Sequence, residues 1–334
     1  MNVINTDQVS ENLRHKAIDL ISKKILITRF SGSEQEKDIH EPLNCEGHGR
    51  IRHFRRQTNS GWPENPLPID PAAHKLGIPK GDLLKAQVFQ NSACNWRCWY
   101  CYVPFSLLSA NPKKATWLSA SEMVELYSKS NDQPKVIDLS GGQPDLTPEW
   151  IPWMMHELRQ RNLEKSVYLW SDDNLSNDYL LRFLTNDDFE LMRSYRNYGK
   201  VCCFKGFDNE SFAFNTAAAP DLFDRQFELF SKHLTLGLDL YAYTTFTSTN
   251  EQNIGHKMKV FVDRLQSLHP NLPLRTIPLE IKSFTPMQNR LQPPHENAIR
   301  IQQTAIQCWN QEIQERFSPA ERQLPIFEIS LTRN

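Results

Sequence analysis

The chain has 334 residues, of which 38 are basic and 39 acidic, so its formal net charge is −1. This balance excludes a whole-molecule electrostatic field that would draw the protein to nucleic acid or to an anionic membrane. A hydrophobic content of 39%, with eight Trp and eighteen Phe, also excludes a disordered chain. We therefore expect a folded protein in which any recognition of anions is local.

The sequence shows no sign of export or of membrane insertion. Its first eight residues lack a basic region followed by an apolar run, and no apolar stretch approaches the ~18 residues that a bilayer span requires. We predict a cytoplasmic protein without a membrane partner. Its thiols would stay reduced there, which favours metal ligation over structural disulfides.

The first part of the chain has a weak periodic pattern. Ser10 is a candidate cap for a helix in which Leu13, Ala17, Leu20 and Ile21 recur at helical spacing, and a short strand is predicted at 25–28. Residues 30–83 show little sustained period, and five prolines fall between positions 61 and 80. We predict that residues 1–84 form a mostly irregular N-terminal extension.

From about residue 85 the pattern changes to apolar runs that alternate with helical ones. We predict strands at 86–92, 136–139, 167–170, 201–204, 240–246 and 277–281, and helices near 119–129, 148–163, 177–185, 220–235 and 256–268. This order indicates an α/β fold with a parallel sheet, open or curled into a partial barrel, whose chemistry lies at the carboxyl ends of the strands. The barrel would span 85–285, and 286–334 would add a helix over 301–317 and a closing strand at 326–329.

Three of the seven cysteines, Cys94, Cys98 and Cys101, lie within eight residues directly after the first of these strands. A zinc site is one interpretation, but structural zinc takes four ligands, usually as two pairs, and no second pair follows. Adjacent Cys202 and Cys203 would point to opposite faces of a strand. Three thiolates on a four-iron cluster would instead leave one iron open to a small molecule.

The spacing Cys94-x3-Cys98-x2-Cys101, with an aromatic residue before the last cysteine, resembles the signature of the radical S-adenosylmethionine superfamily. The resemblance implies a partial (β/α)6 TIM-like barrel and a [4Fe–4S] cluster whose open iron binds S-adenosylmethionine. Reductive cleavage would give a 5′-deoxyadenosyl radical that abstracts hydrogen from a substrate. In the same resemblance, Tyr100 lies near the adenine and the main chain of Tyr102 bonds it. Ordinary core packing is the alternative for both rings.

A second motif, Ser140-Gly141-Gly142-Gln143-Pro144, follows the second barrel strand. It is similar to the Gly-Gly-Glu-Pro segment that holds the methionine end of the cofactor in that superfamily. Glycines permit the close main-chain approach that a bound amino acid needs. Gln143 departs from the usual Glu, and an amide keeps an acceptor but lacks the charge that would pair with an ammonium.

Two further strand ends resemble the compact glycyl-radical-enzyme activases of the superfamily. Asp173 and Asn174 match a segment after the third barrel strand, and Lys205 matches a lysine after the fourth, where they would help to bind the cofactor or the substrate. The alternatives are helix capping for residues 172–174 and a solvated lysine.

An arginine-rich stretch before the barrel supplies candidate substrate ligands. Arg50, Arg52, His53 and Arg55 lie among glycines and could hold a phosphate or carboxylate, because guanidinium groups bind such anions bidentately. A solvated basic turn is the alternative.

These features predict a radical S-adenosylmethionine enzyme, an oxidoreductase or lyase, that acts on an unidentified, anionic small molecule. Its electrons would come from a flavodoxin-like or ferredoxin-like donor, since too few cysteines remain for an auxiliary cluster. An activase that forms a glycyl radical on a partner protein is one alternative. A non-catalytic iron–sulfur carrier or sensor is another.

Overall fold

The computed structural model describes residues 3–59 and 61–332, which form two sheets surrounded by helices. The larger sheet has seven strands in the order β10-β9-β8-β7-β6-β4-β3, and a small antiparallel sheet has the order β1-β2-β5. The strands are β1 Ile18–Asp19, β2 Lys24–Thr28, β3 Gly49–Arg55, β4 Leu83–Gln90, β5 Ala115–Ser119, β6 Val136–Ser140, β7 Tyr168–Asp173, β8 Tyr198–Phe204, β9 Leu240–Thr245 and β10 Thr276–Leu279.

The six strands β4, β6, β7, β8, β9 and β10 are parallel, and β3 pairs antiparallel with β4 at one edge. Parallel strands need crossover connections, and helices supply them here. The helices are α1 Thr6–Ala17, α2 Ile69–Leu76, α3 Ala120–Lys129, α4 Trp150–Gln160, α5 Tyr179–Phe183, α6 Asn186–Ser194, α7 Asn209–Thr216, α8 Leu222–Leu234, α9 Ile254–Leu268, α10 Thr285–Gln288, α11 Pro293–Arg316 and α12 Pro319–Arg322.

The large sheet is curled into a half-barrel. Arg52 on β3 and Tyr243 on β9 line the same cavity, although four strands separate β3 from β9 in the sheet. Because side chains alternate along a strand, one set of positions faces this concave side and the other faces the helices. Trp170 and Tyr241 belong to the concave set and pack with residues of β3 and α2 in one buried cluster.

All six predicted parallel strands and the five predicted helices between them are present. The predicted C-terminal helix corresponds to α11, and its residues Ile301, Ala305 and Trp309 pack in the cluster that contains α9. The helices α6 and α7 were not predicted. Each is short and begins at a capping box, with Thr185 and Asp208 as the capping residues.

Three predictions about the segments before and after the large sheet's parallel strands were wrong. The first helix is capped by Asn5 rather than Ser10 and ends at Ala17, so Ile21 lies beyond it and is 99% exposed. Residues 30–83, predicted to be irregular, contain strand β3 and helix α2. The predicted closing strand at 326–329 is a turn, although Ile326 and Ile329 are buried.

Within the described residues, no helix combines the length and the apolar character that a membrane crossing would require.

Candidate active site

The three loop cysteines line one cavity of about 290 Å³ at the carboxyl ends of the parallel strands. The loop follows β4 and is fixed by main-chain hydrogen bonds from Cys94 N to Leu108 O and from Cys101 N to Cys98 O, both 3.0 Å long. The other residues that line the cavity are Arg52, Tyr100, Tyr102, Val103, Gly141, Gly142, Gln143, Asp172, Asp173, Asn174, Cys203, Lys205, Tyr243, Thr245, Leu279, Glu280, Ile281, Lys282 and Phe284.

The spacing of the three sulfur atoms is compatible with a metal cluster. Among the described residues, only Asp173, Cys202 and His233 bring three ligand atoms within 4.8 Å of one another, so at least one pair of the loop sulfurs is farther apart than that. A four-iron cluster accommodates such a spacing because each thiolate binds a different iron.

The charges around the thiols suit an anionic centre. Burial raises the pKa of Cys98 to about 12 and also raises the pKa of Cys94 and Cys101, so without a cation the thiols stay protonated. A metal reverses this preference because it binds the thiolate. Burial alone would lower the pKa of Lys205, but Cys203, Tyr100, Cys98 and Cys101, when ionised, outweigh burial and the net shift is upward.

The glycine turn after β6 lies directly against the cysteine loop. Gly141 and Gly142 have φ values of +68° and +59°, in the left-handed region that favours glycine. A Cβ atom on Gly142 would be 2.3 Å from the carbonyl oxygen of Ala93. The next amide, Gln143 N, donates to that same carbonyl over 2.7 Å. The two glycines therefore allow the turn and the loop to share one wall of the cavity.

The Gln143 side chain is fully buried, and both ends of its amide have protein partners. Its Nε2 donates to Asp173 Oδ1 over 2.7 Å, and its Oε1 accepts from the main-chain N–H of Asn174 over 2.9 Å. Asn174 in turn donates from Nδ2 to Asn95 Oδ1 over 3.1 Å. Gln143 thus joins the turn after β6 to the end of β7.

The two tyrosines of the loop are held differently. Tyr100 is buried beside Trp99, and its hydroxyl lies 3.2 Å from Thr245 Oγ1 on β9. The ring of Tyr102 has the guanidinium of Arg50 at 5.5 Å from its centroid, within cation–π range. Both rings line the cavity.

A charged wall lies on the concave face beside the cysteines. Arg52 Nη1 donates to Asp138 Oδ2 over 3.0 Å, and Asp138 is completely buried. Burial opposes the charge on Arg52, but Asp138 outweighs it and raises the pKa of Arg52. Burial, together with Asp138, raises the pKa of Asp172 to about 7, while Arg52 and Lys205 act in the opposite direction. Oδ1 of Asp172 is buried and has no hydrogen-bond partner among the described residues.

The structure brings together most of the residues that the sequence nominated. The exceptions are Ser140, Arg50, His53 and Arg55, which are not among the described residues lining the cavity. Ser140 donates to Asp138 Oδ2 over 3.1 Å, and His53 Nε2 contacts Glu41 at 2.5 Å.

Sequence reasoning missed the buried partner of Arg52 and several cavity residues. The partner, Asp138, is the one acidic residue in strand β6, and its position in an otherwise uncharged strand could have identified it. The segment 279–284 carried no such signal, because it follows the last parallel strand without a motif and reaches the cavity only through the curl of the sheet.

No protein-family model and no curated protein matches this chain. Among solved structures, it is similar to SuiB from Streptococcus suis bound to the precursor peptide SuiA, with 13% identity over 54% of this chain and 36% of SuiB and a TM-score of 0.39. It is also similar to anSMEcpe bound to AdoMet and the Cp18Cys peptide, with 13% identity over 57% of this chain and 49% of that one and a TM-score of 0.37.

A third similar structure is the radical S-adenosylmethionine methyltransferase TsrM from Kitasatospora setae with cobalamin and a [4Fe-4S] cluster bound. Its identity is 12% over 79% of this chain and 57% of TsrM, with a TM-score of 0.43. The alignments thus cover between about a third and somewhat more than half of these longer chains.

Proposed function

We propose that this protein is a radical S-adenosylmethionine enzyme built on a partial (β/α)6 TIM-like barrel. The observation that carries the proposal is that three cysteine thiols and a Gly-Gly turn line one cavity at the carboxyl ends of six parallel strands. Such strand ends are where barrel enzymes keep their chemistry.

The residues present fit both cofactors. Cys94, Cys98 and Cys101 would hold a [4Fe–4S] cluster, with one thiolate on each of three irons. The turn at Gly141 and Gly142 would receive the methionine part of S-adenosylmethionine. When bound, the two cofactors supply one-electron cleavage of the sulfonium and abstraction of hydrogen from a substrate.

The remaining nominated residues have distinct roles in the proposal. Tyr100 would form the adenine side of the cofactor site, with the main chain of Tyr102. Lys205 would offset the negative charge of the thiolates or bind the cofactor carboxylate. Gln143, whose amide is already engaged, would act by holding Asn174 and Asp173 in place.

We propose a small organic molecule with an anionic group as the substrate. Arg52 donates only one of its guanidinium N–H groups to Asp138 among the described contacts, which leaves others for an anion. Arg50 would support this wall through Tyr102 rather than bind the substrate itself. The electron donor would be a separate flavodoxin-like or ferredoxin-like protein, in the cytoplasm.

The test is to reconstitute the protein anaerobically with iron and sulfide, add dithionite and S-adenosylmethionine, and measure 5′-deoxyadenosine by chromatography. We expect formation of 5′-deoxyadenosine, and at least a hundredfold less in Cys98→Ser, since a missing ligand abolishes the cluster. Cys308→Ser is the matched control, because Cys308 lies on α11, packs in the α9 cluster and is not a cavity residue. Reconstituted protein with no four-iron cluster would refute the proposal.

A non-catalytic iron–sulfur carrier is the second candidate, and the engaged amide of Gln143 is the observation that favours it. Such a protein would hold the cluster without binding S-adenosylmethionine. Titration of the reconstituted protein with the cofactor, followed by electron paramagnetic resonance of the reduced cluster, separates the two. A spectrum that does not change on addition of the cofactor supports the carrier.

A further inference from the structure

A second group of potential ligands lies behind the cavity, between the outer face of the large sheet and helix α8. It consists of five completely or almost completely buried side chains: Asp145, Asp173, Lys200, Cys202 and His233. Lys200 and Cys202 alternate with the concave-facing positions of β8, so they point toward the helices. Charged side chains this deeply buried require partners.

Two of the five neutralise each other. Lys200 Nζ lies 2.7 Å from Asp145 Oδ1, and neither side chain reaches solvent. Asp173 is the second carboxylate beside Lys200, so the group holds two carboxylates and one ammonium.

The other three side chains converge on one point. His233 Nδ1 lies 3.6 Å from Asp173 Oδ2 and 3.7 Å from Cys202 Sγ, and all three ligand atoms are within 4.8 Å of one another. Asp173 Oδ2 has no hydrogen-bond partner among the described residues.

Hydrogen bonds alone do not satisfy these three atoms. If Nδ1 of His233 carries a proton, Asp173 Oδ2 is too distant for a good hydrogen bond and the Cys202 thiol has no acceptor. If Nδ1 is unprotonated, the thiol can donate to it, but its lone pair then lies beside an unpartnered carboxylate oxygen.

We propose that Asp173, Cys202 and His233 are the three protein ligands of a zinc ion, separate from the loop cysteines, in the type of zinc site whose fourth ligand does not come from the protein. Zinc with tetrahedral angles and ordinary bond lengths places nitrogen and oxygen ligands about 3.4 Å apart and nitrogen and sulfur ligands about 3.6 Å apart. The distances from His233 Nδ1 to Asp173 Oδ2 and to Cys202 Sγ, 3.6 and 3.7 Å, are close to these values. A divalent ion with one thiolate and one carboxylate has no net charge, and neither has the ion pair of Lys200 with Asp145. The net charge of the whole buried group is then zero.

The site has a structural consequence for the cavity. Asp173 Oδ1 accepts from Gln143 Nε2 and, over 2.9 Å, from the main-chain N–H of Leu175. A metal on Oδ2 fixes the orientation of this carboxylate, because ligating carboxylates are held by hydrogen bonds on their other oxygen. The zinc ion thereby holds the end of β7 and the turn after β6 in position.

The test uses the full chain with Cys94→Ser, Cys98→Ser and Cys101→Ser, so that neither iron nor zinc can occupy the loop. The probe is zinc, measured by mass spectrometry of the protein after it has been expressed with added zinc and dialysed against a chelator. We expect roughly one zinc ion per chain, and about a tenfold or greater loss when Cys202→Ser is added. Cys203→Ser is the matched control, because the neighbouring cysteine faces the cavity and its loss leaves the zinc content unchanged.

A second measurement covers the case in which the Cys202 variant does not fold. The same cluster-free protein is grown with cobalt in place of zinc, and its absorption spectrum is recorded. Thiolate ligation gives a sulfur-to-cobalt charge-transfer band in the near ultraviolet together with visible ligand-field bands. A folded cluster-free protein that holds no zinc and shows no such bands overturns the proposal, as does a folded Cys202→Ser variant that keeps its zinc. Neither result bears on the iron–sulfur proposal.

Discussion

At the scale of single residues, the site depends on how closely two segments approach each other. The Gly-Gly turn begins 40 positions after the last cysteine of the loop, and the hydrogen bond from the Gln143 N–H to the Ala93 carbonyl joins the two segments. The sequence identified both segments because closely spaced cysteines and a glycine pair after a strand have few uses other than binding a ligand. It did not identify the partners of Gln143, since an amide in a motif does not reveal which groups it will meet.

We expect Gly142→Ala to destabilise the protein and to reduce its iron content. The added Cβ would be 2.3 Å from Ala93 O and 2.5 Å from Asn91 O, and alanine would also be strained at φ +59°. Together these effects should cost about 3 kcal/mol or more. Thermal unfolding and iron analysis after reconstitution measure the two effects.

The matched control for this variant is Gly77→Ala. Gly77 has φ +65° at the end of α2, but its Cβ would meet nothing within 4 Å. It should therefore lose only about 1 kcal/mol, the cost of the left-handed conformation, and keep its iron. Equal losses in the two variants would show that the backbone conformation, and not the contact with the loop, matters.

At the scale of elements, strand β3 shows where sequence patterns succeed and fail. The six parallel strands are runs of apolar residues because both of their faces are buried, and such runs are easy to recognise. Strand β3 instead carries Arg50 and Arg52 on its concave face, so its alternation of basic and other residues is typical of an exposed basic loop. These arginines are explained only by Tyr102 and Asp138, which the fold brings from other elements.

We expect Arg52→Met to destabilise the protein because it leaves the buried Asp138 carboxylate without its counter-ion. Removal of one partner from a buried pair is costly, and with Arg52 retaining some contact with solvent we expect about 2–4 kcal/mol. Urea denaturation measures the loss. Combining Arg52→Met with Asp138→Asn should recover part of it, because the double variant no longer buries an unpaired charge.

Arg55→Met serves as the control for this pair. Arg55 is on the same strand but exposed, so its replacement should change the stability by less than about 0.5 kcal/mol. If Arg52→Met is as mild as Arg55→Met, the ion pair does not hold β3 to the sheet.

At the scale of the whole molecule, segments on both sides of the half-barrel in the sequence contribute to its core. Leu67, Ile69 at the start of α2, and Ile326 near the C-terminus pack in the buried cluster that contains Trp170 and Tyr241. The ring of His74 stacks on Phe327 with centroids 4.2 Å apart. The predicted boundaries at 84 and 285 mark where the alternation of strand and helix patterns begins and ends. They could not reveal that the flanking segments supply core residues, because such contacts are long-range and leave no periodic pattern in the sequence.

We expect Ile326→Ala to cost about 2–4 kcal/mol, because truncation of a buried isoleucine in this cluster leaves a cavity. Leu324, two residues earlier, is 46% exposed, whereas Ile326 is 5% exposed. Leu324→Ala should therefore change the free energy of unfolding by less than about 0.5 kcal/mol. If the dependence of the free energy of unfolding on urea concentration is the same in both variants, the difference in stability arises in the folded state. If the two variants lose the same stability, Ile326 does not contribute to the buried cluster that contains Trp170 and Tyr241.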